Sequence, residues 1–132
     1  FDYIQSVDSL KLAKAISESA EKSDKVQKIL IQVNISGEEQ KFGFEESELK
    51  NCINELKGLV AVSIEGIMCM ATLGADDDEL DRIFSKARDL SEELNKEYGL
   101  NLRELSMGMS DDYKRAVVNG ATMIRIGRLL FN

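Results

Sequence analysis

The sequence predicts an α/β fold built on a parallel sheet, from three observations. Strand-like and helix-like stretches alternate from end to end, without a linker, repeat or low-complexity segment. The second strand pattern, ILIQVNI at residues 29–35, is β-branched and nearly apolar throughout, the signature of a strand buried on both faces. The chain has 132 residues, 43% hydrophobic and 31% charged, the profile of one domain with its own core. Five strand patterns separated by four helices imply right-handed crossovers. Two architectures fit that count. One is a doubly wound five-stranded sheet, complete at this length. The other is part of a (β/α)8 barrel, whose full length is typically ~250 residues.

The elements follow in order. Tyr3–Val7 is a short first strand, and Asp8 is placed to cap the helix after it. Leu12, Ala13, Ile16 and Ala20 give that helix its apolar face. Residues 29–35 form the second strand, and Lys41, Phe42, Gly43 and Phe44 form a loop. Leu49, Cys52, Ile53 and Leu56 repeat at helical spacing, with Gly58 as the stop. Residues 62–70 are the third strand. The longest helix spans residues 75–98, with Leu80, Ile83, Phe84, Ala87, Leu90 and Leu94 inward. On its wet side Asp78/Arg82 and Glu92/Lys96 are spaced as i, i+4 pairs, and Gly99 ends it. Residues 102–109 are the fourth strand, Ser110 is placed to cap a helix over 111–119, and residues 121–127 (ATMIRIG) are the fifth strand.

Composition removes several function classes. The net charge is −7, whereas sequence-independent nucleic-acid binding needs a basic stripe. Histidine is absent, which removes common zinc sites, the Ser-His-Asp triad and the usual general base. Cys52 and Cys69 sit far apart in apolar contexts and read as buried thiols of a reducing, cytoplasmic compartment. No apolar run reaches the length of a membrane span, and no signal-peptide pattern opens the chain.

Both architectures bind ligands at the C-terminal ends of their strands. The fourth strand ends in Ser106-Met107-Gly108-Met109-Ser110, followed by Asp111 and Asp112. Ser110 at a helix start suits an anion; equally, it is a plain N-cap whose aspartates satisfy the helix dipole. Arg125 lies between Ile124 and Ile126 in an apolar strand, and a buried guanidinium needs a partner. That partner is either an internal carboxylate, Glu65 or Glu104, or a ligand. Gly127 permits close backbone approach, and Arg128 follows it. Met68 and Met70 read as barrel core more readily than as a ligand wall. Asn34 ends the second strand and either meets a ligand or caps the loop.

Five segments stand in a telling order: Ile4-Gln5-Ser6-Val7-Asp8-Ser9, Gln32-Val33-Asn34-Ile35-Ser36-Gly37-Glu38, Gly66-Ile67-Met68-Cys69-Met70, the run from Leu105 to Asp112, and Met123-Ile124-Arg125-Ile126-Gly127. Together they resemble the pyridoxal phosphate homeostasis protein family, single-domain relatives of the alanine racemase N-terminal barrel. The resemblance covers essentially the whole chain. It implies the (β/α)8 TIM-barrel fold over the doubly wound one, with about five of the eight β/α units present (strands 4–8), so that residues 1–132 form the C-terminal portion of a single barrel domain. It implies pyridoxal 5′-phosphate (PLP) as cofactor, in a non-catalytic protein of intracellular vitamin B6 homeostasis that passes PLP to PLP-dependent apoenzymes. By the same resemblance, Ser110 and the backbone around Gly127 and Arg128 hold the phosphate. Arg125 faces the pyridine nitrogen, and Ser106, Met109, Asn34 and Met68 complete the site.

Two departures from the family pattern stand out. The family's cofactor lysine lies in an Ala-Val-Ser-Lys-like stretch of the first barrel strand, which nothing here matches; Lys28, Lys41 and Lys114 do not occupy that position. The family also commonly carries a small hydroxyl residue after Arg-Ile-Gly, where this chain has Arg128, whose guanidinium can supply a phosphate contact of its own. Alternative readings are a racemase- or decarboxylase-like PLP enzyme, which needs a second domain and a catalytic tyrosine, a receiver-like signalling domain, and a plain structural module. A receiver needs an acidic cluster after the first strand and a lysine after the last. Asp8 stands alone, and Arg128 is not lysine. Five strands leave edges at Tyr3–Val7 and at residues 122–127, which predicts a homodimer formed by edge pairing, with an open, flattened sheet as the alternative.

Overall fold

The computed structural model describes residues 3–35, 43–72, 74–109 and 112–125; the side chain of Arg125 is outside that description. The elements alternate as predicted: β1 (Tyr3–Val7), α1 (Leu10–Lys22), β2 (Gln27–Gln32), α2 (Glu46–Lys57), β3 (Val62–Met68), α3 (Asp77–Tyr98), β4 (Glu104–Met109), α4 (Tyr113–Val118) and β5 (Met123–Arg125). All neighbouring strands are parallel, and the sheet order is β1-β2-β3-β4-β5. That order decides between the two architectures. A doubly wound sheet reverses its strand order at a switch point, whereas a barrel adds each strand beside the last.

The sheet is curled rather than flat. Ser106 Oγ on β4 donates to Gln5 Oε1 on β1 at 2.6 Å, although β2 and β3 lie between those strands. In a flat sheet three strand spacings would separate them by about 14 Å, more than two side chains and a hydrogen bond can span. Strand alternation then divides the side chains. Ile29, Ile31, Val33, Ile35, Ile67, Cys69, Leu105 and Met107 join the helices' Leu49, Ile53, Leu56, Ile83, Phe84 and Leu94 in one core on the convex side. Leu30, Gln32, Met68 and Ser106 alternate with them and are also buried, on the concave side.

Several boundaries differ from the sequence reading, each for a local reason. Ser9, not Asp8, caps α1, because its side chain accepts from the Leu12 N–H at 3.1 Å. Leu12 turns partly outward, and Ser17 takes its place inside, accepting from the Ala61 N–H at 3.1 Å. β2 begins two residues early, where the Gln27 N–H meets Ala61 O. Of the predicted loop, Lys41 and Phe42 lie outside the described residues, while buried Phe44 bridges Val33 in parallel. α2 buries Leu49, Ile53 and Leu56 as expected, with Cys52 half-buried; both cysteines are free thiols. α3 buries all six predicted residues and ends at left-handed Gly99 (φ 68°). It starts after Asp76, whose carboxylate accepts from the Glu79 N–H. Arg82 lies 3.8 Å from Glu79 rather than pairing with Asp78, and Glu92 and Lys96 form no ion pair among the described contacts. α4 is shorter than predicted. Asp112, not Ser110, stands at its N-cap, and Ala116 N–H to Asp112 O is its first turn.

Gly66 has a steric reason to be glycine. A Cβ there would lie 1.9 Å from the Glu104 carbonyl oxygen, on its register partner in β4. Gly66→Ala is therefore expected to cost about 3 kcal/mol of stability through overpacking. Gly99→Ala meets nothing within 4 Å and is expected to cost only the left-handed backbone penalty, about 1–2 kcal/mol. Urea denaturation of both variants checks the order; a larger loss for Gly99→Ala would contradict it.

Candidate functional site

The candidate site forms where the strands end, because register brings residues distant in sequence into rows. Gln32, Met68, Ser106 and Met123 occupy neighbouring positions across β2, β3, β4 and β5. Met109 and Arg125 form the next row towards the C-terminal ends. Asn34 alternates with the core residues Val33 and Ile35, which puts it on the concave side with Met68 and Ser106. The backbone around it is fixed, since the Asn34 N–H donates to Phe44 O at 2.8 Å. Three of the predicted residues, Asn34, Met68 and Ser106, thus share one face, and Met109 sits beside the backbone of Arg125 at its rim. Met109 is 43% exposed, whereas Met68 and Ser106 are buried. Ser110, Gly127 and Arg128 lie outside the described residues.

The β4–α4 junction is tight. Gly108 has φ 101°, and a Cβ on it would stand 2.7 Å from Ala116 Cβ and 3.1 Å from Tyr113 Cα. Left-handed backbone and helix contact together require glycine there. Immediately after it, the Met109 N–H donates to Asp112 Oδ1 at 2.6 Å. β5 is set beside β4 by Thr122, whose Oγ1 accepts from the Leu105 N–H at 2.7 Å and whose own N–H donates to Leu105 O.

Glu65 is named above as an internal candidate for Arg125, whose side chain lies outside the description. Glu65 is engaged by Arg103 Nη2 at 2.6 Å and Ser63 Oγ at 2.5 Å. Those bonds, the Ser63 hydroxyl first and the Arg103 guanidinium second, hold its carboxyl below the usual carboxylate range. Sequence reasoning missed Gln5, the partner of Ser106. The available signal was the polar pair Gln5-Ser6 inside a short strand, flanked by Ile4 and Val7. It also missed the Asp81–Arg115–Asn119 group linking α3 to α4, for which helix spacing carried no signal, because Asp81 is 34 residues from Arg115.

The alanine racemase N-terminal domain family model matches residues 2–132. The chain belongs to that family. It is 41% identical over 128 residues to the pyridoxal phosphate homeostasis protein of Aquifex aeolicus, covering 97% of this chain and 56% of that one. The chain therefore spans a little over half the length of that relative. The solved structure of PipY from Synechococcus elongatus PCC7942 without PLP superposes with a TM-score of 0.94 at 38% identity, over 100% of this chain and 62% of that one. The same protein with PLP bound gives 0.91 at 36% identity, over 100% of this chain and 61% of that one. Alanine racemase of Clostridium difficile 630, at 19% identity and a TM-score of 0.73 over 98% of this chain and 35% of that one, shares the fold alone. The TIM-barrel expectation therefore holds: the curled five-stranded sheet is part of such a barrel. Among the described residues, no helix is long and apolar enough to cross a membrane.

The Glu65 environment predicts a pH dependence with a definite sign. A carboxylate whose pKa is lowered by folding contributes stability above its unfolded value and loses it as pH falls through the folded value. Stability should therefore be constant at neutral pH and decline below about pH 4. Glu65→Gln should be less stable than the parent at pH 7 and lose less on acidification. Chemical denaturation at stepped pH values tests this; parallel pH profiles for parent and variant would remove Glu65 from the acid response.

Proposed function

We propose that this chain is the PLP-binding portion of a cytoplasmic PLP-homeostasis protein that carries the cofactor and does not turn over a substrate. The observation that supports it most is the placement of Asn34, Met68 and Ser106 on the concave side, with the Met109–Arg125 row beyond them. Barrels of this kind bind ligands at the C-terminal ends of their strands. The donor set also suits the group, since thioether walls accommodate an aromatic ring and amide, hydroxyl and guanidinium groups recognise its polar substituents. The names of the relatives and the PLP-bound PipY structure support the same reading.

Bound PLP supplies an aldehyde and an electron-withdrawing ring. In this reading the residues divide the work of holding it. Ser110, the backbone at Gly127 and the Arg128 guanidinium hold the phosphate, and Asn34, Met68, Ser106 and Met109 line the ring. Arg125 meets the ring nitrogen. A guanidinium only donates, so the nitrogen stays unprotonated and the ring remains a weak electron sink, which suits a carrier better than a racemase. Release to PLP-dependent apoenzymes belongs to the same proposal. So does a homodimer formed by edge pairing of β1 and β5, which light scattering at micromolar concentration would test against a monodisperse monomer.

Absorbance titration of the 132-residue chain with PLP is expected to show saturable, reversible binding, with no lysine labelled stoichiometrically after borohydride. Saturation with full reversal on dialysis supports the reading, and a stoichiometrically trapped lysine would refute its non-covalent part. In a barrel that also carries the family's lysine strand, Arg125→Ala is expected to weaken PLP binding more than Arg128→Ala. Loss of a charge-assisted bond is worth about 1.5–3 kcal/mol, roughly ten- to a hundredfold. Equal or reversed losses in the same titration would contradict that ranking.

A further inference from the structure

We propose that Asp81 on α3 is a positioning residue for this site, fixing α4 and, through α4, the end of β4. The inference rests on the reading above, which gives Ser110, between β4 and α4 in sequence, a share in holding the ligand's phosphate. α4 has six residues, too few to be a stable helix on its own. Its placement therefore comes from its contacts. On one side, fully buried Ala116 packs into the core, and Ala116 and Tyr113 lie directly against Gly108. From α3, the Asp81 carboxylate accepts from Arg115 Nε at 3.0 Å, from Arg115 Nη2 at 2.5 Å and from Asn119 Nδ2 at 2.9 Å. The same Asn119 amide nitrogen donates to Arg115 O at 2.8 Å. One carboxylate thus grips α4 in its middle and at its C-cap.

A bidentate guanidinium–carboxylate pair fixes orientation as well as distance. α4 cannot roll about its axis without breaking it. Such a roll would carry Tyr113 and Ala116 across Gly108, and it would shift Asp112, whose carboxylate holds the Met109 N–H. The anchor itself is firm, because Asp81 lies between buried Leu80 and nearby Ile83 and Phe84 of the 22-residue α3. The side chains of Asp81 and Arg115 are about a third exposed, so the pair adds little to global stability. Its effect is on where the junction sits.

The test compares PLP with pyridoxal, which lacks the phosphate, by absorbance titration of the parent chain and of the Asp81→Asn and Asn119→Ala variants. Asp81→Asn is expected to weaken PLP binding about tenfold while leaving pyridoxal affinity unchanged within error. Asn119→Ala keeps the ion pair and is expected to weaken PLP a few-fold, again without moving pyridoxal. A merely structural role would lower both affinities together, and that result, or unchanged PLP binding by folded Asp81→Asn, overturns the proposal. If Asp81→Asn does not fold, Asn119→Ala decides: an unchanged ratio of PLP to pyridoxal affinity overturns it. A parent chain that binds no PLP refutes the functional reading and this inference with it. A parent that binds, with variants that do not discriminate, refutes this inference alone.

Discussion

A hydroxyl on β4 that reaches an amide on β1 across two intervening strands sets the geometry on which everything else depends. Parallel strands twist in one sense, and here the twist is closed far enough for Ser106 and Gln5 to meet. Curling gives the sheet two unlike faces. The convex face takes the four helices and most of the aliphatic core. The concave face collects polar groups that an ordinary two-layer α/β core would have to exclude, and it can do so because Ser106 and Gln5 satisfy one another. The same curl brings the strand ends round towards a common point.

The ends of the strands are held by short, stiff connections. Gly66 lets β3 and β4 approach where a methyl group would collide with a carbonyl, and Gly108 lets α4 lie against the end of β4. The ring of contacts from Gly108 through Ala116 and Arg115 to Asp81 ties that end to α3, the longest and most deeply packed helix. At the opposite end of the sheet, Glu65 with Ser63 and Arg103 joins β3 to the approach to β4. The two clusters differ in depth. Glu65 is largely buried, while Asp81 and Arg115 lie nearer the surface, and in both clusters hydrogen bonds hold the carboxyl below the usual carboxylate range.

Much of this was legible in the sequence, and the parts that were not share a cause. Element order, the buried residues of α2 and α3, and the stop at Gly99 follow from local periodicity and backbone preference, which operate within one or two turns. The caps at Ser9 and Asp76 were misplaced because several capping residues stand in a row and only the backbone direction decides which side-chain oxygen reaches an N–H; α4 starts at Asp112 without a side-chain cap. Asn34, Met68 and Ser106 were legible as strand-end residues. That they share a face was not, because the bulge in the β2–β3 pairing shifts register, and no single strand records a shift against its neighbour.

The sequence by itself determined the alternation of strands and helices, the chemistry available at the strand ends, and the motif order that marks the family. It left two sheet architectures open by counting, since both use the same β/α units. The motif order pointed to the barrel, and the tertiary structure settled it through the order β1 to β5 and the curl. It also decided that Glu65 belongs to Arg103 and that Asp81 belongs to Arg115 and Asn119. The physical reason is the same in each case: partners tens of residues apart are chosen by packing and register, which are properties of the whole sheet and are written in no local stretch of chain.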